Sequence, residues 1–327
     1  IYTGEDTLSL HDALPILYMK KYLVTGGAGF IGSHIAEYLS GEGHEVIVLD
    51  SLRTGFEKNL NGFNVQFEKG DIRDKDLVNQ LVKNATAIFN LAALVSVPES
   101  LLKTQECIEI NSIGTINILE AARNNEGCKV VLSSSAANYG NNPILPKVET
   151  MIPEPMTPYA ITKLDGEFYL KMYQDQWNVP TTSLRYFNVF GPRQNPQSAY
   201  AAAVPIFINK ALQNQPIIIY GDGSQTRDFI YVKDVVQANI LASKTGSEVY
   251  NVALGHSTSI LELATKVIEI TNSKSTIQFL EERPGDIKHS IANPSKFNQL
   301  GFNPKYTIEK ALEETIGFYE NQLSIAK

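Results

Sequence analysis

Tyr159 and Lys163 lie four residues apart and have the residue types of a general base and its activator. They follow Pro158, which is favoured in the first turn of a helix, so we expect both side chains on one helix face. An ammonium group beside a phenol lowers the pKa of the phenol, and a phenolate near neutral pH can accept a proton from an alcohol. Ser135 ends the apolar run 129–135 and is expected to hydrogen-bond the same alcohol.

A glycine-rich turn near the start of the organised sequence predicts a dinucleotide site. An apolar run leads into the turn, and a helical pattern and a second apolar run follow within about thirty residues. Gly26 permits the tight turn, Gly29 lets the backbone approach a pyrophosphate, and Gly32 lets the helix pack on the strand. Asp50 ends the second run, where it can accept a hydrogen bond from a ribose 2′-hydroxyl. Because a carboxylate would repel a 2′-phosphate, the sequence predicts NAD rather than NADP.

The pattern of the remaining elements predicts an α/β fold with a doubly wound, parallel Rossmann sheet. Helical patterns alternate with further apolar runs at 65–71, 87–93, 129–135 and 181–186. Functional groups are expected at the carboxyl ends of such strands, where Asp71, Ala92, Ser135 and Asn188 fall.

Two domains are expected from this pattern. The first is an NAD-binding Rossmann domain over residues 19–187, and the second is a smaller substrate-binding domain over residues 188–327. We expect residues 228–253 to return from the second domain to the first.

Several of these segments resemble the extended short-chain dehydrogenase/reductase family. The matching segments are TGGAGFIG, the strand-end Asp50, SSSAANYG and PYAITK, and LRYFNVFG at 184–191 is similar to a segment of the UDP-glucose 4-epimerase branch. The resemblance extends from Met19 to the end of the chain. It implies bound NAD, a UDP-sugar substrate, and a homodimer in which two long helices of each copy pair with their counterparts.

The resemblance also implies a role for individual residues. It makes Tyr159 the base, Lys163 the residue that tunes it and binds a ribose, and Ser135 the partner of the substrate hydroxyl. Ser134 is a second candidate for that partner, because adjacent serines leave the assignment open by one residue. Asn111 would support Lys163 through an ordered water. The residues expected to line NAD are Gly26, Gly29, Phe30, Ile31, Gly32, Asp50, Asp71, Ile72, Ala92, Tyr159 and Lys163.

Two arginines in turn-rich loops of the second half are candidate diphosphate ligands, because the guanidinium fork matches the phosphate oxygens. By resemblance, Arg227 and Arg283 bind the diphosphate of UDP, and Asp286 binds the uridine ribose. Asn188 is also expected to contact the UDP-sugar.

One position after the second arginine sets the size of the sugar pocket in this family. It is a bulky Tyr in members restricted to unmodified hexoses, whereas this sequence has Ser290 there. An alignment shifted by one residue would place His289 or Ile291 at the wall, and each is smaller than Tyr. The resemblance therefore implies that UDP-GlcNAc and UDP-GalNAc are interconverted, together with UDP-Glc and UDP-Gal.

The residues after Ser135 discriminate between related reactions. Sugar-nucleotide 4,6-dehydratases need an acid–base pair there and the related decarboxylases a Glu, whereas this chain has Ala136 and Ala137. A reaction confined to C4 needs no such acid: Tyr159 takes the 4-hydroxyl proton, hydride passes to NAD⁺, and the 4-keto sugar turns over before hydride returns. The sequence thus predicts a UDP-hexose 4-epimerase. A UDP-uronic acid 4-epimerase is the alternative enzyme, and an NAD-binding regulator without activity is the alternative from another class.

Bulk properties limit the partners and the location. The 327 residues carry 28 basic and 35 acidic side chains, a net charge of −7 that argues against a nucleic-acid partner. No apolar run of about 18 residues is present, so we expect no membrane span. Cys107 and Cys128 form no CxxC pair and fit a reducing cytoplasm, and the histidines lack metal-ligand spacing.

Residues 1–18 differ in character from the rest of the chain. They have no positively charged region and no apolar core of a signal peptide. Within them, TLSLHDALPI resembles the in-frame translation of a sequencing-library adapter. We expect that this segment is not native and that translation begins at Met19.

Overall fold

The computed structural model describes residues 19–196, 202–282 and 287–325. Its strands are β1 (Lys21–Thr25), β2 (Glu45–Asp50), β3 (Gln66–Lys69), β4 (Ala87–Asn90), β5 (Lys129–Ser135), β6 (Thr181–Tyr186), β7 (Asn188–Phe190), β8 (Ile217–Tyr220), β9 (Thr226–Arg227), β10 (Phe229–Tyr231), β11 (Val249–Val252), β12 (Thr258–Ser259) and β13 (Ile277–Leu280). Its α-helices are α1 (Phe30–Gly41), α2 (Lys75–Val82), α3 (Val97–Leu102), α4 (Thr104–Ile108), α5 (Gly114–Arg123), α6 (Pro158–Trp177), α7 (Ala203–Leu212), α8 (Val232–Ala242), α9 (Ile260–Ile270), α10 (Ser295–Asn298) and α11 (Ile308–Ile325). Short 3₁₀ helices span Glu57–Leu60 and Ala136–Tyr139, and a π-helical turn, Glu109–Ile113, joins α4 to α5.

A parallel sheet forms the centre of the described structure. Its seven strands lie in the order β11-β6-β5-β4-β1-β2-β3, and every neighbouring pair is parallel. The order runs outward in both directions from β1, so a crevice opens beyond the carboxyl ends of β1 and β4, where ligands of such sheets bind. The expected Rossmann fold is confirmed.

Helices cover both faces of this sheet, which is why its strands are apolar on both sides. On one face, Leu23 and Ile88 pack in a buried cluster with residues of α2, α5 and α6. On the other face, Val24 and Phe89 pack in a cluster with residues of α1 and α8. Full burial of each such side chain contributes about 1.5–3 kcal/mol, so the two layers hold the strand ends in fixed positions.

A separate buried cluster lies in the later part of the chain. It packs Phe207 of α7, Leu263 of α9 and Leu312 of α11 against β8 and β10. Three strand pairs, β7–β10, β9–β12 and β8–β13, belong to this part of the chain, and β11 lies in the large sheet. The division of the chain into two domains stays a prediction.

The described helices include none with both the length and the apolar character that a membrane crossing requires.

Candidate active site

The glycine-rich turn between β1 and α1 leaves no room for side chains. Gly26 has a φ of 66°, and a Cβ there would lie 2.8 Å from the backbone nitrogen of Ala92. A Cβ at Gly32 would lie 2.3 Å from the Gly26 carbonyl oxygen, so the first turn of α1 packs directly on the end of β1. At Gly26 and Gly32 the neighbouring backbone lies so close that only a residue without a Cβ fits.

The start of α1 can bind an anion. Gly29 is the N-cap residue and makes no side-chain capping bond, and Phe30 and Ile31 form the first turn. Both side chains are partly buried against the cluster around α7 and α9. Uncapped N–H groups and the helix dipole favour a phosphate, so this turn fits the pyrophosphate of a dinucleotide.

Asp50 lies at the end of β2 beside this turn and is buried. Its carboxylate accepts the backbone N–H of Ala28 at 3.0 Å and that of Leu52 at 2.8 Å. Burial raises the pKa of Asp50, and these backbone hydrogen bonds oppose the rise. A carboxylate has about four acceptor sites, so capacity remains for ribose hydroxyls. A buried acid here fits NAD and opposes a 2′-phosphate.

Two other predicted cofactor residues follow β3. The Asp71 carboxylate accepts bonds from the Arg73 side chain, at 3.0 Å from Nε and 2.8 Å from Nη2. These bonds hold the pKa of Asp71 below its usual range. Ile72 is buried, and a Cβ at Gly114 would lie 2.4 Å from its Cδ1. Across the crevice, the Ala92 N–H donates to Thr25 Oγ1 at 3.2 Å.

Tyr159 and Lys163 extend from the first turns of α6. Thr157 caps the helix by accepting the N–H of Ala160 at 3.2 Å, and the Tyr159 N–H donates to Ser100 Oγ at 3.2 Å. These two bonds fix the helix start, and the Ser135 side chain is close enough to the Tyr159 hydroxyl to influence its pKa. The Lys163 ammonium lies 5.8 Å from the centroid of the Tyr159 ring.

Burial dominates the electrostatics of this pair. It raises the pKa of Tyr159, and the hydrogen bond from Ser135 opposes that rise. It also lowers the pKa of the buried Lys163 to about 8. The sequence predicted a lowered pKa for this phenol, whereas in the chain without cofactor the direction is upward, because burial is the largest influence. A cation bound beside Tyr159 would lower the pKa of its phenol, which is the direction that the sequence predicted.

The two candidate serines of β5 face opposite sides of the strand. Ser135 faces Tyr159, and its Oγ accepts the Ala137 N–H at 3.1 Å. Ser134 is buried and donates to Glu167, whose carboxylate also binds Arg185 at 2.7 Å. Ser134 therefore belongs to a buried polar network, and only Ser135 shares the hydroxyl side of Tyr159.

Asn111 lies in the π-helical turn and is buried. Its Oδ1 accepts the Leu94 N–H at 2.7 Å, and its Nδ2 donates to Thr162 Oγ1 at 3.0 Å. Asn111 thus connects the loop after β4 to α6, between the positions of Tyr159 and Lys163. Its support of Lys163 through water stays a prediction.

The described substrate candidates lie around one short strand, β9. The Ser290 N–H donates to the Thr226 carbonyl at 3.1 Å, and the next residue of β9 is Arg227, which is partly buried. Asn188 donates from its backbone N–H and from Nδ2 to the Asp228 carbonyl, at 3.1 and 3.2 Å. The structure thus brings Asn188, Arg227 and Ser290 together.

The other candidates for substrate binding fall into two groups, those outside the described residues and the two alternatives for the pocket wall. Arg283 and Asp286 lie outside the described residues. His289, an alternative for the pocket wall, forms a hydrogen bond between its Nδ1 and Thr226 Oγ1 at 3.1 Å. Ile291, the other alternative, accepts the Lys147 N–H at 2.8 Å through its carbonyl.

Comparison with known sequences decides between the possible families. The model of the NAD-dependent epimerase/dehydratase family matches residues 22–253, which include the glycine turn, Ser135, Tyr159 and Lys163.

The chain belongs to the NAD-dependent epimerase/dehydratase family.

Relatives in this family are similar over almost their whole length. A putative UDP-glucose 4-epimerase of Methanocaldococcus jannaschii is 38% identical over 91% of this chain and 98% of its own. A solved UDP-N-acetylglucosamine 4-epimerase of Methanobrevibacter ruminantium, in complex with UDP-N-acetylmuramic acid, is 40% identical, with a TM-score of 0.90 over 93% of this chain and 99% of its own. A UDP-glucose 4-epimerase of Thermus thermophilus in complex with NAD is 36% identical, with a TM-score of 0.84 over 92% and 99%. The predictions of an NAD-dependent sugar-nucleotide epimerase and of NAD as its cofactor are confirmed.

The structure of this epimerase also contains site residues that the sequence analysis missed. Asp228 is fully buried beside Arg227, and burial raises its pKa to about 6. Glu167 and Arg185 form a buried ion pair beneath Ser134. The available signal for Asp228 was a charged residue directly before the apolar run FIYV, which indicates a buried charge. This signal does not identify the hydrogen-bond partners of Asp228, because they lie in distant parts of the chain.

Proposed function

We propose that this enzyme is a UDP-hexose 4-epimerase that interconverts UDP-GlcNAc and UDP-GalNAc, together with UDP-Glc and UDP-Gal. The observation that carries the proposal is the pairing of the Tyr159 hydroxyl with Ser135, directly followed by two residues that cannot transfer a proton. Ala136 and Ala137 provide no acid for elimination directly after Ser135, and Tyr159 is the phenol available for proton transfer. That arrangement suits oxidation and reduction at a single carbon.

The chain's own residues perform the proton transfer. Ser135 accepts or donates a hydrogen bond at the 4-hydroxyl and orients it toward Tyr159, which removes the proton. NAD, when bound, would supply the hydride acceptor and donor for oxidation and reduction at C4. Tyr159 then gives the proton back to the new 4-hydroxyl. Lys163 binds a ribose hydroxyl of the cofactor, and its position is fixed by a bond from Nζ to the Ser133 carbonyl at 2.7 Å.

The cofactor is held by the glycine turn and the two strand-end acids. The backbone at Gly26 and Gly29 and the start of α1 bind the pyrophosphate, and Asp50 binds the adenosine ribose. Asp71 lines the cofactor crevice in the orientation that its hydrogen bonds with Arg73 impose. Phe30, Ile31, Gly32, Ile72 and Ala92 line the same crevice.

The UDP-sugar is bound by residues of the later half. Arg227 and Arg283 bind the diphosphate, Asp286 binds the uridine ribose, and Asn188 contacts the nucleotide sugar. Ser290 forms the wall near C2 of the sugar, where a hydroxymethyl side chain leaves room for an N-acetyl group. The names of the relatives from M. ruminantium and M. jannaschii, one for UDP-N-acetylglucosamine and one for UDP-glucose, support this pair of substrates.

We also propose a homodimer, supported by apolar side chains exposed on neighbouring helices. On α6, Ile161 is 54% exposed, Phe168 63% and Met172 39%, and the three lie on one helix face. On the adjoining α3, Leu101 is 59% exposed and Leu102 81%. Closed two-fold dimers, the commonest assemblies, bury such a face against its copy.

The test is product analysis with the purified protein. UDP-GlcNAc, UDP-Glc and UDP-glucuronate are supplied separately without added NAD, and the 4-epimers are separated by chromatography. We expect UDP-GalNAc and UDP-Gal, formed with no net NADH, because each turnover restores the cofactor. Turnover of UDP-glucuronate alone would replace the proposal with a uronic acid epimerase. Stoichiometric reduction of free NAD would replace it with a dehydrogenase.

A further inference from the structure

The three described substrate candidates lie next to Asp228 in the chain or in its hydrogen-bonded surroundings, and the carboxylate of Asp228 is buried. We infer that Asp228 is a positioning residue that fixes Asn188, Arg227 and Ser290 in the arrangement that binds the UDP-sugar. The inference deepens the proposed function and rests on it, because the contacts that Asp228 would position are those of a UDP-sugar.

The carboxylate of Asp228 connects two segments that are distant in sequence. Its Oδ1 accepts the Leu254 N–H at 2.9 Å, and its Oδ2 accepts the Gly255 N–H at 3.0 Å. Oδ2 also accepts the N–H of Ala292 at 3.2 Å. The side chain is fully buried, so these three donors have a charged acceptor that water does not reach.

The backbone around Asp228 makes the contacts that matter for substrate. Its carbonyl accepts both donors of Asn188, which lies in β7 beside β10. Arg227 directly precedes it in the chain, in a strand that pairs antiparallel with Thr258. Ala292, bound by the carboxylate, lies two residues after Ser290, whose own N–H bonds to Thr226. A shift of Asp228 therefore moves all three candidates.

Charge and shape both select aspartate at this point. Hydrogen bonds from N–H groups to a buried carboxylate are roughly twice as strong as those to a neutral acceptor. In Asp228→Asn the amide NH₂ would face at least one of the N–H groups that now donate, because Oδ1 and Oδ2 are both used. The segment at Leu254–Gly255 or the segment at Ala292 would have to move away. Displacement of about 1 Å is enough to weaken a site by up to about 10²-fold.

The chain provides a matched control in Asp234 of α8. This carboxylate is also buried and also accepts backbone N–H groups, from Lys305 at 2.8 Å and Tyr306 at 3.3 Å. It ties α8 to the segment before α11 and contacts none of the substrate candidates in the described structure. Asp234→Asn should therefore lose thermal stability without a specific loss of nucleotide binding.

The experiment compares wild type, Asp228→Asn and Asp234→Asn, with UDP as the probe. The dissociation constant of UDP is measured by titration calorimetry, KM and kcat with UDP-Glc, Tm by calorimetry, and bound NAD by absorbance. We expect both variants to lower Tm and to keep NAD. Only Asp228→Asn should raise the UDP dissociation constant and KM, by about tenfold or more, with a smaller change in kcat.

Several results would overturn the inference. Equal UDP affinity in wild type and Asp228→Asn, or equal weakening in both variants, would make Asp228 merely structural and leave the proposed function intact. No UDP binding by wild type would refute the proposed function and the inference together. If Asp228→Asn does not fold, Asp228→Glu keeps the charge and moves it by one methylene, and unchanged UDP affinity in that variant would count against positioning.

Discussion

The Lys163 ammonium lies 5.8 Å from the centre of the Tyr159 ring, but its hydrogen bond goes to the Ser133 carbonyl, 2.7 Å away. Lys163 is thereby tied to β5, the strand that also carries Ser135. The burial that places these groups raises the pKa of Tyr159 and lowers that of Lys163, so the chain by itself keeps the phenol protonated. A cation bound near the Tyr159 hydroxyl would lower the pKa of that group.

Replacement of Tyr159 by Phe should abolish most turnover without loss of UDP-sugar affinity. The variant loses the proton acceptor while the diphosphate contacts remain, so kcat should fall by about 10²–10⁴. Steady-state kinetics and UDP titration measure the two effects. Near-normal kcat would remove Tyr159 from the mechanism.

The two serines of β5 should fail in different ways. Ser135→Ala removes the partner of the Tyr159 hydroxyl and should lower kcat with little change in Tm. Ser134→Ala leaves the buried Glu167 carboxylate without one donor and should cost about 1–3 kcal/mol of stability, with kcat less affected. Paired measurements of kcat and Tm test this. The reverse pattern would exchange the two assignments.

Ser290→Tyr should narrow the sugar pocket selectively. A phenol ring at this wall would collide with a C2 N-acetyl group, so kcat/KM for UDP-GlcNAc should fall far more than that for UDP-Glc. Competition assays with both substrates in one reaction give the ratio directly. An equal loss for both would show that Ser290 does not wall the C2 side.

Phe168→Glu should convert the proposed dimer into monomers. A carboxylate on the apolar face of α6 would be buried without a partner in the assembled form. Light scattering at micromolar concentration measures the mass. Phe279→Glu in β13, where Phe279 is 53% exposed away from α6, is the control and should keep the wild-type mass. A monomeric wild type contradicts the proposal.

Acidification should remove a stabilising interaction at Glu37 of α1. Burial alone would raise the pKa of Glu37, but hydrogen bonds from His34 and Arg193 outweigh it and lower the pKa from 4.5 to about 2. A lowered carboxyl pKa stabilises the folded state above 4.5, and this stabilisation is lost as pH falls towards 2. Its size is limited because the Glu37 side chain is 45% exposed.

Glu37→Gln should therefore be less stable than wild type at neutral pH, and the difference should shrink below pH 4.5. Urea unfolding of both proteins across this range measures it. A difference in the free energy of unfolding that does not vary with pH would show that Glu37 acts by packing alone.

Much of the first half of the fold could be predicted because its signals are local. The apolar runs ending at Thr25, Asp50 and Ser135 are strands, and Pro158 lies in the first turn of α6. The glycine turn, Tyr159 and Lys163 were found for the same reason: each pattern lies within one element or two adjacent ones.

The remainder depends on contacts between distant segments. β7 pairs with β10, and Asp228 binds Leu254 and Ala292, which no short pattern encodes. Burial raises the pKa of Tyr159 in the chain without cofactor, and spacing along a helix reports a neighbouring charge but not the depth of burial. Likewise, the sequence alone does not distinguish Ser134 from Ser135, because the difference depends on which helices pack on each face of β5.

Successive side chains of β5 point to opposite faces of the sheet, so the register of this strand determines which residues line the active site. Ser134 and Ser135 have identical side chains, and their alternate places along the strand decide which one lies near Tyr159 and which one binds Glu167. β5 is paired on both edges. Its Leu132 lies opposite Asn90 of β4, and its Ser134 lies opposite Arg185 of β6. A slip by one residue would place either Ser134 or Ala136 at the position of Ser135 and would turn each side chain of the strand to the other face. Pairing with both flanking strands therefore fixes which serine lies near Tyr159. We expect a single-residue insertion in β5 to disturb the site more than the loss of either hydroxyl.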